Sequence, residues 1–260
     1  MRLMKKTLGI VAAVALSVSM LAGCGSAASS TAASTASSAA ESTASSAVSE
    51  AASSEAEDDN EAAAAQLMKD LTGSYQELWP VILADEYKQT WLDDCTALVG
   101  EENAEGAFEK LSSMVTGDVY GEDAVKAYAN GGGAYFCGFT NDLVTLTFDG
   151  ETSTISGTDK DGNELFRHTY HYIGMEPIRG LYEFESDDAD SGEFTYFFMA
   201  PDTSAETYHI EFRYGSDADA LGQYDAGDYA YWLASGISTD CDQTMIDNCI
   251  ELFCTENLAG

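Results

Sequence analysis

The stretch EFTYFFMAPDTSAETYHIEFRYG, residues 193–215, decides the fold. Runs rich in aromatic and β-branched residues over 193–199 and 207–214 predict two β-strands. A short loop through Pro201 and Asp202 joins them. The second strand carries His209, one of three histidines in the chain. This strand pair is therefore the first place to examine for both the fold and a metal ligand.

More short strands precede this pair and are separated by turn signals. Asp149-Gly150 and Asp161-Gly162 are typical of tight turns between hairpin strands. The predicted strands are 134–139, 143–148, 151–156, 164–172, 180–186, 193–199 and 207–214. Six or seven successive strands connected in this way predict an antiparallel meander that closes into a barrel.

Helices are predicted before the first strand and after the last strand in the sequence. Apolar residues at helical spacing predict helices over 62–83, with Gly73 as an interruption, and over 86–98, 104–115, 122–129 and 239–258. Their aromatic and methionine positions are those of core residues. The fold class is therefore α+β, mainly β, with N-terminal helices and one C-terminal helix.

The N-terminal residues have the pattern of an export signal. Three basic residues precede a short apolar run, and Leu21-Ala22-Gly23-Cys24 follows. This tetrapeptide is similar to the bacterial lipobox, which implies cleavage before Cys24 and lipid attachment to its thiol. The alternative is an ordinary secretory signal. We expect residues 1–23 to be a leader and the protein to be extracytoplasmic, lipid-anchored to the bacterial cell membrane.

Composition divides the rest of the chain in two. Residues 24–61 are mostly Ser, Ala, Thr and acidic residues. A tract with so few large apolar side chains cannot offset its ordering entropy by burial, so it is predicted to be a flexible tether. Residues 62–260 are predicted to form one folded domain, since their length lies in the usual single-domain range.

Charge and motifs exclude several functions. The chain has 45 acidic and 11 basic residues, a formal charge of −34, and would repel a phosphate backbone, so we expect no nucleic-acid partner. No GxSxG, Walker or HExxH motif is present. We therefore do not expect an enzyme. Besides Cys24 there are five cysteines, an odd number, and a bridge between Cys95 and a cysteine of the last helix is one possible pairing.

Several segments, in this order, resemble the ZinT (YodA-like) family of bacterial zinc-binding proteins. They are LTGSYQELWP (71–80), EDAVKAY (122–128), LYEFE (181–185), TYHIEF (207–212) and GSD (215–217). The resemblance implies a calycin, or lipocalin-like, barrel with added helices and a zinc site near the barrel mouth. The family also occurs fused to zinc-binding components of import systems, which implies a metal-import system as a partner.

The chain departs from the family at the metal strand. Members usually show H-x-H there and another histidine upstream, whereas this chain has Thr207-Tyr208-His209, with Phe197 or Phe198 near the upstream position. Alternation places Ile210 and Phe212 on one face and His209 and Glu211 on the other. If the apolar face points to the core, His209 and Glu211 point outwards. The same rule turns His168 inwards and His171 outwards.

The candidate metal ligands are therefore His209, Glu211, Asp202 and His168. For His209 the alternative is a surface or capping histidine, and for His168 it is a hydrogen-bonded core histidine. The function predicted is a cell-surface lipoprotein that binds a divalent metal, zinc first, as a scavenger or an accessory to uptake. The alternative is a metal-free lipocalin-like module that binds a small ligand or a protein partner.

Overall fold

The computed structural model describes residues 45–200 and 209–259. The leader, Cys24 and Asp202 lie outside these residues. Within the described part, the strands in chain order are β1 Gly73–Glu77, β2 Thr145–Asp149, β3 Thr154–Thr158, β4 Glu164–Met175, β5 Tyr182–Ser186, β6 Tyr196–Met199, β7 His209–Gly215 and β8 Ala234–Ser238. All neighbours pair antiparallel, and β1 pairs with β8, so the strands form a closed barrel.

The helices of the described residues precede, interrupt and follow the strands. They are α1 Ser45–Asp70, α2 Leu78–Ile82, α3 Lys88–Val99, α4 Glu101–Met114, α5 Glu122–Ala129, α6 Ala218–Leu221 and α7 Gln243–Leu258. The barrel with added helices and a C-terminal helix confirms the predicted fold class. None of the helices in residues 45–200 and 209–259 is both long enough and apolar enough to cross a membrane.

The barrel interior is filled by aromatic side chains. On β7, Ile210, Phe212 and Tyr214 are buried in this core, and Phe197 of β6 stacks with the last two at 6.3 and 5.3 Å between ring centroids. Dense packing of this kind is normal for protein interiors and leaves little room for a ligand. The inward set of β7 is therefore the apolar one, as the alternation predicts.

A second core lies outside the barrel wall. It is built from residues of α2, α3, α4 and α7 packed around Ile237 of β8, with Trp91 and Cys95 fully buried. Ala234 of the same strand belongs to the barrel core. Strand β8 is therefore buried on both faces, and it fixes the helical layer against the barrel.

The N-terminal helix prediction is partly wrong. The predicted helix over 62–83 is divided: α1 ends at Asp70, and Gly73–Glu77 forms β1 instead. Gly73 has φ +147°, which a residue with a side chain rarely adopts. The pairing of β1 with both β2 and β8 outweighs the local helical spacing.

Helix α1 begins at Ser45, inside the segment assigned to the tether from composition. Among the side chains of α1 that the structure describes, Ala64, Leu67 and Met68 are buried in the barrel core, as is Leu71 just after the helix. The contacts of α1 with that core are thus made by its last two turns. The boundary at residue 62 stays a prediction.

Candidate functional site

The outer face of β7 carries the first candidate ligands. His209 and Glu211 are both half-buried and alternate with the fully buried Ile210 and Phe212. Two residues apart on a strand, they project in the same direction, about 7 Å apart at their Cα atoms. The backbone partners of this pair are Ile237 and Ser235 of β8. His209 and Glu211 therefore form a donor pair on the outside of the wall shared by β7 and β8.

A thiol that sequence reasoning missed lies next to this pair. The backbone carbonyl of Cys137 accepts a hydrogen bond from Ser235 N at 3.0 Å, which brings the segment before β2 across β8. Burial raises the pKa of the Cys137 thiol to about 12, and the neighbouring Glu211 carboxylate contributes to this increase. No sequence motif indicates the contact, because it depends on the path of residues 134–139 over the barrel.

The outer face of β7 also carries a buried cation, Arg213. Arg213 follows His209 and Glu211 on the outer face, and its guanidinium donates to the carbonyls of Leu221 and Tyr229. Its side chain is fully buried. The chain after β7 thus covers Arg213, whereas His209 and Glu211 are only half-buried.

His168 lies in another part of the barrel. Its Nδ1 hydrogen-bonds Asp188 Oδ2 at 2.8 Å, and its ring stacks on Phe166 at 5.9 Å. The side chain is 16% exposed, whereas that of His171 is 53% exposed. The inward and outward orientations predicted for these two residues agree with this exposure. His171 Nδ1 contacts Asp187 Oδ1 at 2.7 Å.

The structure does not bring His168 and His209 together. Strands β5 and β6 separate β4 from β7, a distance of about 14 Å along the wall at about 4.8 Å per strand. The two imidazoles also point to opposite sides of that wall. Zinc–ligand bonds are about 2.0–2.3 Å long, so His168 and His209 cannot bind the same ion.

The donor side chains present can be compared with the ligands that zinc requires. Within the described residues, no group of three or more His, Cys, Asp or Glu side chains is arranged to hold a metal ion. His209 and Glu211 supply two donors, while zinc takes three or four. The donor pair alone is thus an incomplete zinc site. A third protein ligand at His209 has to come from elsewhere, and residues 201–208, which include Asp202, are the adjoining segment.

A cleft lies where the end of β1, helix α2 and residues 115–117 and 136–138 meet. It encloses about 330 Å³ and is lined by Glu77, Trp79, Leu83, Val115, Phe136 and Cys137, among others. The Trp79 side chain is buried, and the Cys137 thiol, a weak acceptor, is the neighbour of its indole N–H. Glu77 Oε1 accepts a hydrogen bond from Phe139 N at 2.6 Å. We call this feature the Trp79 cleft.

Solved structures that are similar to this chain include two zinc-bound ones. The chain is similar to the Zn(II)-bound ZinT-like domain of AdcA from Streptococcus pneumoniae, with 15% identity over 71% of this chain and 89% of that chain, and a TM-score of 0.45. It is also similar to Zn(II)-bound AdcA from Streptococcus pneumoniae, with 14% identity over 72% of this chain and 35% of that chain, and a TM-score of 0.42.

The first of these structures is described as ZinT-like, and ZinT is the family that the sequence motifs resemble. The sequence matches no family model and has no significant match among curated proteins. At the identities and TM-scores found, neither structural likeness assigns a ligand or a partner to this chain. We assign the fold from the strand order, which is that of a closed antiparallel barrel.

Proposed function

We propose that this chain is a lipid-anchored extracytoplasmic protein whose barrel domain binds a divalent metal ion, zinc first, at His209 and Glu211. The observation that supports this best is the placement of both side chains on the outer face of β7, next to the segment that contains Asp202. The proposal assigns Asp202 as the third protein ligand. The resemblance of residues 207–212 to the metal strand of the ZinT family supports the choice of zinc.

The chemistry of this donor set predicts a modest preference for zinc. Imidazole suits zinc, whereas carboxylate oxygens also accept calcium, magnesium or manganese. One imidazole and two carboxylates should therefore bind zinc more weakly and less selectively than three imidazoles. The formal charge of −34 raises the local concentration of any cation. The role that fits such a site is scavenging or accessory delivery to a metal-import system.

The anchor belongs to the same proposal. Cleavage before Cys24 and lipidation of its thiol would hold the protein at the membrane surface, with the acidic residues 24–61 as a spacer. Labelling cells with a radioactive fatty acid tests this: the full chain should incorporate label, and Cys24→Ala should not. Incorporation by Cys24→Ala equal to that of the native chain would contradict the anchor.

Calorimetric titration with zinc tests the metal site. A chain lacking residues 1–24 should bind zinc with submillimolar affinity in a buffer with little chelating capacity. His209→Ala should weaken binding at least tenfold, and Glu211→Gln and Asp202→Asn should each weaken it several-fold, because each removes a ligand from a set of three. Absence of binding heat in the native chain would overturn the proposal.

Two controls separate a site from general attraction to an acidic surface. His171→Ala removes an exposed imidazole of β4 that contacts Asp187. This change should leave the zinc affinity unchanged. Addition of 0.1 M sodium chloride should screen the non-specific attraction and leave the His209-dependent heat. Equal losses in His209→Ala and His171→Ala would show that zinc binds without a specific site.

The Trp79 cleft favours a second candidate function, the binding of a small apolar ligand without a metal. The cleft is lined largely by apolar side chains, among them Trp79, Val115 and Phe136, which suits such a ligand. Titration with N-phenyl-1-naphthylamine, a neutral fluorescent probe, tests this. Val115→Phe should fill part of the cleft and weaken probe binding, while zinc binding stays unchanged. Binding that Val115→Phe leaves intact would count against the cleft.

A further inference from the structure

Two cysteines from distant parts of the sequence meet in the outer core. Cys95 on α3 and Cys254 on α7 have their sulfur atoms 3.9 Å apart. Both residues are completely buried and belong to the same apolar cluster. This separation is contact distance for two sulfur atoms that are not bonded, while a disulfide bond is about 2.05 Å long.

The packing around the pair holds the two helices in a fixed register. Trp91 lies one turn before Cys95 on α3 and contacts Phe253 of α7, the neighbour of Cys254, at 6.0 Å between ring centroids. Phe253 also packs edge-on against Trp79 at 4.7 Å. Because large aromatic rings lock α7 against α3, the two thiols are held in contact.

We propose that Cys95 and Cys254 form a disulfide bond that joins α3 to α7. One S–S bond forms and two S–H bonds break, so the two cysteines lose two protons and two electrons. A disulfide oxidant, such as oxidised glutathione or a disulfide-carrying protein, receives both electrons and is reduced to two thiols. The extracytoplasmic location proposed above is a compartment in which such oxidants act.

The burial of the pair determines when the bond forms. Burial raises the pKa of the Cys254 thiol and of the Cys95 thiol, which keeps both protonated and unreactive once α7 is docked. Oxidation therefore takes place while α7 is still detached, and docking then buries the new bond. The same burial protects the bond from reduction in the folded protein.

The cross-link would fix α7 in the helical layer. Helix α7 follows β8 in the chain and ends at Leu258. A bond to α3 would close a long loop in the unfolded chain, which is the situation in which cross-links stabilise most. The bond thus acts on the helical layer and does not involve His209 or Glu211.

Peptide mapping of the full chain tests the proposal. The chain is unfolded, refolded in a glutathione redox buffer, alkylated and digested without reduction. We expect a linked pair of peptides that contain Cys95 and Cys254, in more than nine-tenths of the molecules. The oxidised protein should also melt about 5 to 15 °C above the reduced protein.

Serine variants provide the matched comparison. Cys95→Ser and Cys254→Ser should each abolish the linked peptide and the difference in melting temperature. Cys249→Ser changes another buried cysteine of α7. This variant should keep the linked peptide and the difference in melting temperature. Zinc titration of the same variants separates the two proposals, because the loss of the cross-link should not change binding at His209.

The native chain alone can overturn the proposal, so a variant that misfolds does not weaken the test. Chain isolated from cells that were alkylated before lysis should give the same map as the refolded chain. Free thiols at Cys95 and Cys254 in both samples would refute the cross-link. A bridge from Cys95 to Cys137, Cys241 or Cys249 would also refute it.

Discussion

Arg213 shows how one side chain fixes a whole loop. It is fully buried, donates to the backbone carbonyls of Leu221 and Tyr229, and lies 4.5 Å from the ring of Tyr224. Burial lowers its pKa to about 10, so it remains charged at neutral pH. The guanidinium of Arg179 also lies over the ring of Tyr224, at 4.3 Å from its centroid. These contacts hold the chain between β7 and β8 onto the outer wall of the barrel.

Replacing Arg213 with Met should therefore make the protein less stable. The change keeps much of the side-chain volume but leaves the carbonyls that Arg213 contacts without donors, which we expect to lower the free energy of unfolding by about 3 kcal/mol. Urea denaturation measures this. Arg167→Met removes an exposed arginine that pairs with Glu164 and should cost less than about 0.5 kcal/mol. Equal losses in the two variants would contradict the role of Arg213.

Thiol reactivity at single residues gives a second prediction. Cys241 is half-exposed, whereas Cys137 and Cys249 are buried and have their pKa raised to about 12 by burial. At pH 8 a pKa of about 12 leaves about one thiol in ten thousand as thiolate. In a chain with Cys24→Ser, a colorimetric disulfide reagent should label one thiol quickly. Cys241→Ser should remove that fast phase; a fast phase that persists would contradict the assignment.

At the scale of elements, β1 is the strand on which barrel closure depends. It lies between β2 and β8, and its Tyr75 is buried against Phe148 at 5.6 Å between ring centroids. The next residue, Gln76, points to the other face and is half-buried. One strand therefore offers a matched pair of positions, one inside the barrel and one outside.

Tyr75→Ala should lower the free energy of unfolding by about 3–5 kcal/mol, because it leaves a large cavity among the aromatic rings of the barrel. Gln76→Ala should cost less than about 1 kcal/mol, since it shortens a half-buried side chain outside the barrel core. Chemical denaturation of both variants gives the comparison. If Gln76→Ala cost as much as Tyr75→Ala, the inward orientation of Tyr75 would be wrong.

The sequence predicted most of these elements but not the closure of the barrel. The strands from 143 to 215 and helices α3, α4, α5 and α7 were found because their alternation, turns and apolar spacing are local signals. The sequence predicts a helix where β1 forms, because Leu71 and Tyr75 also fit helical spacing. Strand β8, ASGIS, was missed because its small residues carry no alternation, and its burial comes from the helices packed against it.

The candidate site was predictable to a similar extent. Alternation along β7 correctly separated Ile210 and Phe212 from His209 and Glu211. The position of Cys137 beside Glu211 was not predictable, since it depends on a crossing between segments far apart in the chain. The pairing of His168 with Asp188 likewise depends on the loop after β5.

Charge acts on the whole molecule. With 45 acidic and 11 basic residues, the folded chain repels itself more than the expanded unfolded chain does. Raising sodium chloride from 0.01 to 0.1 M shortens the screening length from about 30 to about 10 Å and should raise the melting temperature by a few degrees. Differential scanning calorimetry at the two salt concentrations measures the melting temperature. A melting temperature that falls over this range would show that attractive ion pairs dominate instead.

The closure of the barrel by its first and last strands also determines when the protein can fold. Tyr75 pairs with Ser238, so the wall is incomplete until β8 has also left the ribosome. Up to that moment β1 and β7 each present an unpaired edge, and pairing of such distant segments is slow. A nascent chain of this design stays open during synthesis, which is the state in which a polypeptide can still be threaded through a narrow membrane pore.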